Sequence, residues 1–567
     1  MNNTNTATVV GHIDDLPVGG MRLVKVDGRR LCLIRLSTGV QALDNACPHE
    51  GYGLTQGYVR DGVLTCAWHN WKFDIATGTC IVGEENARTH TVVVGDDGAI
   101  SIELVNPSDE DVRPKLLASL RRGIASEYAG QIARDTIRLL KAHADPAELV
   151  WEAIAHGAPR NEFGWGHAVA SAADCLTMLS DHEGDSRAFP IVQAITGLAE
   201  EARAWPPRPL PDPSSAADSV EAAFLAHVEA EECDRAQSTV RGALASGAER
   251  ADLARWFGRA VSAHHLSYGH GAIYVQKAFE LLDVLGWDRA DTVLPHLVPA
   301  IVYGTREDTL PYMRPFMKWS RTQDLRVLTT GASRSTPIEP IAAAQLRASL
   351  LDTSDRTAAL VDCFELLQSG VGLHELLDVI VDAVSERMLR YDVAGERDLS
   401  DDFGWLDITH GLTYANAARW HVDQLGIRPE TVQLVLFTLF LAHWTGRHEW
   451  HTGIGPRVDT TAFGGLDDAA IDDVARALRR DSLLDRTSSF IVHAHGVKTS
   501  VAASREAKRS GSALPLAAAR RFLDAPKMER FVAATVQQSL DFLSGRARRD
   551  DEPVISATYR PISTAGA

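Results

Sequence analysis

The chain has 567 residues, with 57 Lys and Arg against 75 Asp and Glu, and a formal net charge of −18. That balance excludes phosphate-backbone binding as its main task, because neutralising nucleic acid needs a basic face. Hydrophobic residues at 45% and charged residues at 23% are ordinary for a globular protein, and the length suits two to four domains.

The N-terminus, MNNTNTATVV, lacks the basic and apolar regions of a secretory signal. Residues 8–104 read as β structure. Short Val-, Leu- and Ile-rich runs are broken by Asp27-Gly28 and Thr38-Gly39, the punctuation of an antiparallel sandwich or small barrel. A polar segment with two prolines, VNPSDEDVRPK, then reads as a linker. From about residue 113 the chain becomes Ala- and Leu-rich, with apolar residues three and four apart, which is amphipathic helix. The Pro-rich residues 205–215 read as a loop. The longest nearly apolar run, residues 432–444 (VQLVLFTLFLAHW), is shorter than the ~20 residues of a spanning helix. The chain is therefore expected to be soluble and cytoplasmic. There is no fixed-period repeat. The seven cysteines are odd in number and scattered, which disfavours a disulfide framework.

Within the β region stands CPHEG and, with sixteen residues between His49 and Cys66, CAWHNW. Cys47, His49, Cys66 and His69 thus offer one thiolate and one imidazole from each of two loops. Such a set suits a 2Fe–2S cluster with both cysteines on one iron and both histidines on the other; a tetrahedral zinc site is the alternative. Neutral imidazoles in place of thiolates leave the cluster less negative and raise its potential. These residues, with Gly51, Gly53 and HNWKFD, resemble the Rieske family over about the first 105 residues. Rieske proteins of respiratory complexes carry a second cysteine in each loop. Tyr52 and Trp68 stand at those positions here, which implies the low-potential ferredoxin or oxygenase type. Cys32 and Cys80 read as core or strand residues.

Seventeen of the 21 histidines lie beyond residue 113. Several follow a Gly-containing or aromatic lead-in and precede a small-residue helix: FGWGHAVASAADCLTM with His167, AHHLSYGHGAIYVQ with His264, His265 and His270, FGWLDITHGLTYANAARW with His410, and FIVHAHGVKTSVAAS with His493, His495 and Lys498. Four such helices could converge imidazoles on one metal inside a bundle, and a redox cluster on the same chain favours iron over zinc. These segments also resemble the questin-oxidase-like family, which includes non-haem iron enzymes acting on polycyclic polyketide quinones. The resemblance implies His167, His270, His410 and His495 as iron ligands and Lys498, carboxylated, as a further one. His265 could replace His270, and His493 could replace His495.

Other patterns read differently. His443, His448, Glu449 and His451 in AHWTGRHEWH could form a second metal patch or a helix end. Arg306, Glu307 and Asp308 read as a surface turn. Asp407-Ile-Thr-His410 begins the Asp-x-x-His-x-x-x-x-His segment of ring-hydroxylating Rieske oxygenases, but Ala415 stands where the second histidine belongs. Trp165, Tyr268, Trp405 and Tyr414 neighbour the candidate ligands and could line an apolar pocket.

The expected fold is a small all-β Rieske sandwich followed by a large all-α domain. The expected boundaries are 1–105, a linker at 106–115, helices at 116–545 and a weakly ordered tail at 546–567. The expected function is an oxygenase. A ferredoxin or flavin reductase would supply electrons through the 2Fe–2S cluster to Fe(II) in the helical domain, which would activate O2 on an aromatic or polyketide-like substrate; the chain could also oligomerise. One alternative is a ferredoxin-like electron carrier with a helical docking or assembly scaffold. Another is a helical domain with a different cofactor and a regulatory cluster.

Overall fold

The β-rich reading resolves into ten short strands: β1 (Thr8–His12), β2 (Met21–Val26), β3 (Arg29–Leu36), β4 (Gly39–Asp44), β5 (Tyr58–Arg60), β6 (Val63–Thr65), β7 (Lys72–Asp74), β8 (Cys80–Val82), β9 (Thr89–Val94) and β10 (Ala99–Glu103). They belong to the first of two units in a computed structural model, one spanning Met1–Asp145 and the other Pro146–Ala567. The described residues are 7–544, apart from 203–204, 216–219, 398–402, 454, 456 and 528–531. The tail expected from residue 546 lies outside them.

Six strands form an antiparallel sheet in the order β1-β10-β9-β4-β3-β2, and the other four form a second in the order β5-β6-β7-β8. The β2–β3 hairpin turns on Asp27 and Gly28, both at positive φ, with Val26 opposite Arg29. That is the two-residue turn whose twist matches the strands it joins. Two apolar clusters fill the domain. One contains Leu31, Leu33, Val40, Ile100 and Ile102. The other gathers Ile34, Leu43, Leu54, Leu64, Phe73 and Ile75 around Cys47 and Cys66, so the second core is the floor of the ligand loops. Cys32 is buried in this core and Cys80 sits in β8.

The polar stretch after β10 is helical from Asp109 onward. Helix α1 (Asp109–Ala125) starts there because Ser108 caps it, accepting from the Asp111 amide, and three acidic residues occupy its first turn. Helix α2 (Ala129–Lys141) follows after a left-handed Glu127. The pair packs closely at Gly123, where a Cβ would meet Gln131 and Ile132 at 3.3–3.4 Å, and it belongs to the first unit.

The second unit is helical, with no strand among its described residues. Residues 205–215 form the expected loop. The apolar run falls in the helix Pro429–Trp444, buried from Thr431 to its end, and among the described residues no helix is long and apolar enough to cross a membrane. Four helices carry the candidate histidines: His167–Thr177, His270–Leu285, Trp405–Leu425 and Phe490–Ser510. Each packs on two of the others, closing a ring in the order 167, 270, 410, 495. Small residues let neighbouring helices close on two of them from outside the ring: a Cβ on Gly411 would meet Val384 at 2.9 Å, and one on Gly496 would meet Leu523 at 3.2 Å.

Candidate metal centres

Cys47 and His49 lie in the loop after β4, and Cys66 and His69 lie between β6 and β7. Backbone hydrogen bonds brace both loops: the Cys47 amide donates to Tyr52, the Gly51 amide to Cys47, and the Cys66 amide to Trp71, each at 2.8 Å. Cys47 and Cys66 are buried, whereas the His69 side chain keeps 42% of its surface. The Nδ1 atoms of His49 and His69 face each other at 3.1 Å, and the two thiols neighbour one another. Burial pushes the Cys47 thiol up to about 12, although the His49 and Glu50 amides donate toward its sulfur.

This donor set fits a 2Fe–2S cluster better than one zinc. Among the described residues, the donor atoms that gather here within 4.8 Å are those of His49, Glu50 and His69, without the thiols. Tetrahedral zinc, at 2.0–2.3 Å from each ligand, would draw all four donors within about 4 Å of one another. A two-ended arrangement, sulfur inside and imidazole at the rim, suits two metals.

Aromatic groups frame the imidazoles. His49 stacks on Trp71 with centroids 4.8 Å apart, and Tyr52 stacks on Trp68 at 4.4 Å. All seven cysteines are free. From the α1–α2 pair, Tyr128 donates to Glu50 at 2.5 Å, and its hydroxyl lies 3.3 Å from His49 Nε2. A groove of about 730 Å³ opens beside His49, lined in part by Trp71, Arg122, Tyr128 and Arg134.

In the helical unit, His167, His270, His410 and His495 come together. The Nε2 atoms of His270 and His410 are 2.9 Å apart, and those of His410 and His495 are 3.3 Å apart. The His167 ring lies 4.9 Å from that of His270 and 4.5 Å from that of His495. Three of the four are aimed by backbone carbonyls: Nδ1 of His270 by Ser267, of His410 by Leu406 and of His495 by Ile491, at 2.5, 2.5 and 2.8 Å. A carbonyl only accepts, so each Nδ1 carries the proton and each Nε2 turns a lone pair inward. Lone pairs at such separations repel unless a cation lies among them. A proton does not serve, because burial holds His410 down at about 3 and pushes His167, His270 and His495 well below the usual imidazole range. The residues present therefore fit a metal ion.

The Lys498 amine donates to His167 Nδ1 at 2.9 Å, and burial pushes it down to about 7. The ligand atoms of His167, His270 and His495 all lie within 4.8 Å of one another, and His410 joins them through its Nε2 contacts to His270 and His495; His265 and His493 are not among these partners. His265 is buried against Tyr414 and Phe437, 3.3 Å from Glu307. Of the four aromatics expected near the site, Tyr268 lies beside His410, its centroid 5.8 Å away. Trp165 donates to the Val293 carbonyl, Trp405 packs on Tyr391 and Phe522, and Tyr414 packs on His265. Asp407 pairs with Arg447 and caps Gly404. His443 bonds the Thr353 carbonyl, Glu449 pairs with Arg390, and His448 packs on Phe403; the His451 side chain lies outside the described residues.

One expectation is corrected. Glu307 and Asp308 are buried rather than at the surface. Asp308 pairs with His264 at 2.9 Å, and Glu307 accepts the Tyr268 amide at 3.0 Å. Glu307 thereby supports a strained turn, with Ser267, Tyr268 and Gly269 all at positive φ, that directs the Ser267 carbonyl at His270. A Cβ on Gly269 would strike the Tyr414 ring at 2.5 Å.

Sequence reasoning passed over Glu201. Its carboxylate accepts the Ala168 amide at 3.1 Å and bonds the His167 and Val169 amides, so it caps the His167 helix. A Cβ on Gly166 would meet it at 2.2 Å. Burial pushes Glu201 up to about 7. The glycine before His167 was the available signal; its partner is 35 residues away.

Comparison with known proteins bears on the first centre. Residues 6–93 match the Rieske [2Fe-2S] domain family. The ferredoxin component of the naphthalene 1,2-dioxygenase/salicylate 5-hydroxylase systems of Ralstonia sp is 30% identical over 84 residues, 14% of this chain and 81% of that protein. The 3-chlorobenzoate-3,4-dioxygenase oxygenase subunit of Comamonas testosteroni is 40% identical over 70 residues, 12% of this chain and 16% of that protein. Among solved structures, the ferredoxin of carbazole 1,9a-dioxygenase from Nocardioides aromaticivorans IC177 is 27% identical, covering 18% of this chain and 99% of that one, with a TM-score of 0.17.

Proposed function

The chain belongs to the Rieske family through its N-terminal domain, and from that premise we propose that it is a non-haem iron oxygenase with both redox centres on one polypeptide. The domain is homologous to ferredoxin and oxygenase components alike, so an electron-transfer role is common ground. The observation that carries the proposal further is the inward aim of three anchored imidazoles, joined by His167, in the helical unit. Zinc would have no use for electrons, and iron would.

Bound at these centres, a 2Fe–2S cluster would supply one-electron transfer, and iron would supply a place for O2 to be reduced. The chain's own residues do the rest. Cys47, His49, Cys66 and His69 hold the cluster with its imidazole end at the surface, where a ferredoxin or flavin reductase can approach. The Ser267, Leu406 and Ile491 carbonyls fix the tautomer of the helical ligands. Glu201 holds the N-terminus of the His167 helix in place. Tyr268 and Tyr274, whose rings lie 5.8 Å from His410 and 5.1 Å from His270, offer flat apolar faces to an aromatic or polyketide-like substrate. Lys498, pushed down to about 7 by burial, is in part uncharged near neutrality, the form that combines with CO2 to give a carbamate and a proton.

The test is iron and acid-labile sulfide per chain, on protein purified anaerobically, for the wild type and a Cys47→Ala/Cys66→Ala variant. The proposal expects two sulfides with three irons, and one iron surviving in the variant. Two irons in the wild type, none in the variant and no gain on reloading with Fe(II) would reduce the protein to an electron carrier with a helical scaffold.

A further inference from the structure

Two to three turns beyond the imidazoles, the four ligand helices are joined by buried charged and amide side chains that the proposed chemistry leaves unused. Asp174 and Lys277 each stand seven residues, two turns, past the ligand on their own helix. The Lys277 amine donates to Asp174 at 2.7 Å and to Glu280 at 3.1 Å. Arg505 on the His495 helix grips both oxygens of Glu280 at 2.7 and 3.2 Å. Gln276 donates to Glu280 at 2.9 Å and to Asn416 on the His410 helix at 3.1 Å. Asn416 donates to Glu506 at 2.8 Å, and Arg419 reaches the same carboxylate at 3.0 Å. Asp174, Gln276, Lys277, Asn416, Arg419 and Glu506 are all buried.

Three of the pairings are in register, Asp174 with Lys277 being the first. Gln276 and Asn416 both lie six residues past their ligands, and Glu280 and Arg505 both lie ten past theirs. The helices therefore leave the histidines in the same direction, side by side. Their facing surfaces are rich in Ala, Gly and Ser, as in AVASAADC and GVKTSVAAS, and offer few large side chains to interlock. A slip of one residue moves a ligand by 1.5 Å along the axis and about 100° around it, far beyond the tolerance of a metal site.

We propose that this buried ladder is a positioning frame for the metal centre, setting the axial and rotational register of the four ligand helices. Stability alone does not account for it, since buried ion pairs are commonly matched or bettered by apolar packing, and fixing register is their best-attested use. A proton relay along the whole ladder does not account for it either, because beyond the Lys277 contacts to Asp174 and Glu280 the links run through guanidinium groups that keep their protons and through carboxamides. Its members are positioning residues, and their role rests on the metal-site reading given above.

The test uses the full chain in the Cys47→Ala/Cys66→Ala background with Co(II) as the probe, following its d–d bands and dissociation constant. Replacing both members of a pair removes the register without leaving a lone buried charge. Asp174→Leu/Lys277→Met is expected to keep the wild-type melting temperature or exceed it, yet to weaken Co(II) binding 10-fold or more, in the range that outer-shell changes produce, and to broaden the bands. Glu280→Leu/Arg505→Met, a turn further from the site, should act in the same direction with a smaller effect. The reversed pair Asp174→Lys/Lys277→Asp should recover binding to within about 3-fold. Unchanged affinity and spectrum in both apolar variants would overturn the frame while leaving the metal site intact. Absence of Co(II) binding in the parent background would overturn the site and the frame together.

Discussion

The two candidate centres bring imidazoles together from opposite starting points. In the N-terminal domain the four donors lie within 23 residues on two braced loops, sulfur buried and imidazole at the rim. In the helical unit each donor comes from a different helix, spread from His167 to His495. The first site is local and its geometry comes with the loops. The second is a property of the packed bundle, and its precision must come from whatever sets the helices against one another.

Metal content separates them most sharply. His270→Ala/His410→Ala should remove the mononuclear iron and leave two irons and two sulfides, the converse of the Cys47→Ala/Cys66→Ala result. Loss of sulfide in the histidine variant would show that the centres are not independent.

Acid should distinguish them next. Burial depresses His410 to about 3, His265, His421 and His443 to about 4, and His167, His270 and His495 well below 6.5. The unfolded chain therefore binds more protons than the folded one between about pH 4 and 6.5, and stability falls as the pH is lowered through that window. Each imidazole held at about 3 or 4 accounts for about 2 kcal/mol of that loss by pH 5. Glu201 and Glu307, pushed up to about 7 mainly by burial, act with the opposite sign but are outnumbered. In the β domain, by contrast, burial is overcome by His90, Arg29 and Arg88, which hold Asp44 below its usual value, and that contribution is lost only as the pH drops below the unfolded value of about 3.9. Urea unfolding of metal-free protein, followed by helical circular dichroism at pH 7 and pH 5, should show several kcal/mol less stability at the lower pH. A flat profile would mean the histidines are not held neutral.

Gly269→Ala probes the helical site alone. With φ at +87° and a Cβ placed 2.5 Å from the Tyr414 ring, the substitution should cost about 1–3 kcal/mol and lower metal occupancy. Wild-type melting and iron content would show that the turn does not aim His270. The smallest effect belongs to the cluster. Glu50→Gln removes a negative charge beside both ligand imidazoles, so the midpoint potential should rise, and the rise should shrink with added salt. A fall, or a rise indifferent to salt, would assign Glu50 another role.

The same contrast governs what could be read without coordinates. Cys47, His49, Cys66 and His69 were legible because a loop site writes itself into spacing. The helical histidines were legible through a repeated context, small residues following an imidazole, and that context has a physical origin in close helix packing. What escaped was tertiary. Glu201 caps a helix that starts 34 residues earlier, and Lys277 meets Asp174 across 103 residues. Glu307 and Asp308 read as a surface turn because short polar segments usually are one, whereas tertiary partners compensate their burial: His264 for Asp308, and the left-handed Tyr268 with Tyr312 for Glu307. The helical start at Asp109 was signalled by Ser108 and the acidic run after it, but two prolines nearby pointed to a linker.

The order of the ligands along the chain has a consequence for synthesis. His69 completes the first set, and His495 follows it by 426 residues, roughly 20 to 85 s of translation at about 5–20 residues per second. A ribosome-bound chain can thus present the N-terminal domain for cluster insertion long before its helical site exists. Any break in translation ahead of residue 495 would release a chain with both cysteine–histidine loops complete and its helical histidine set one short.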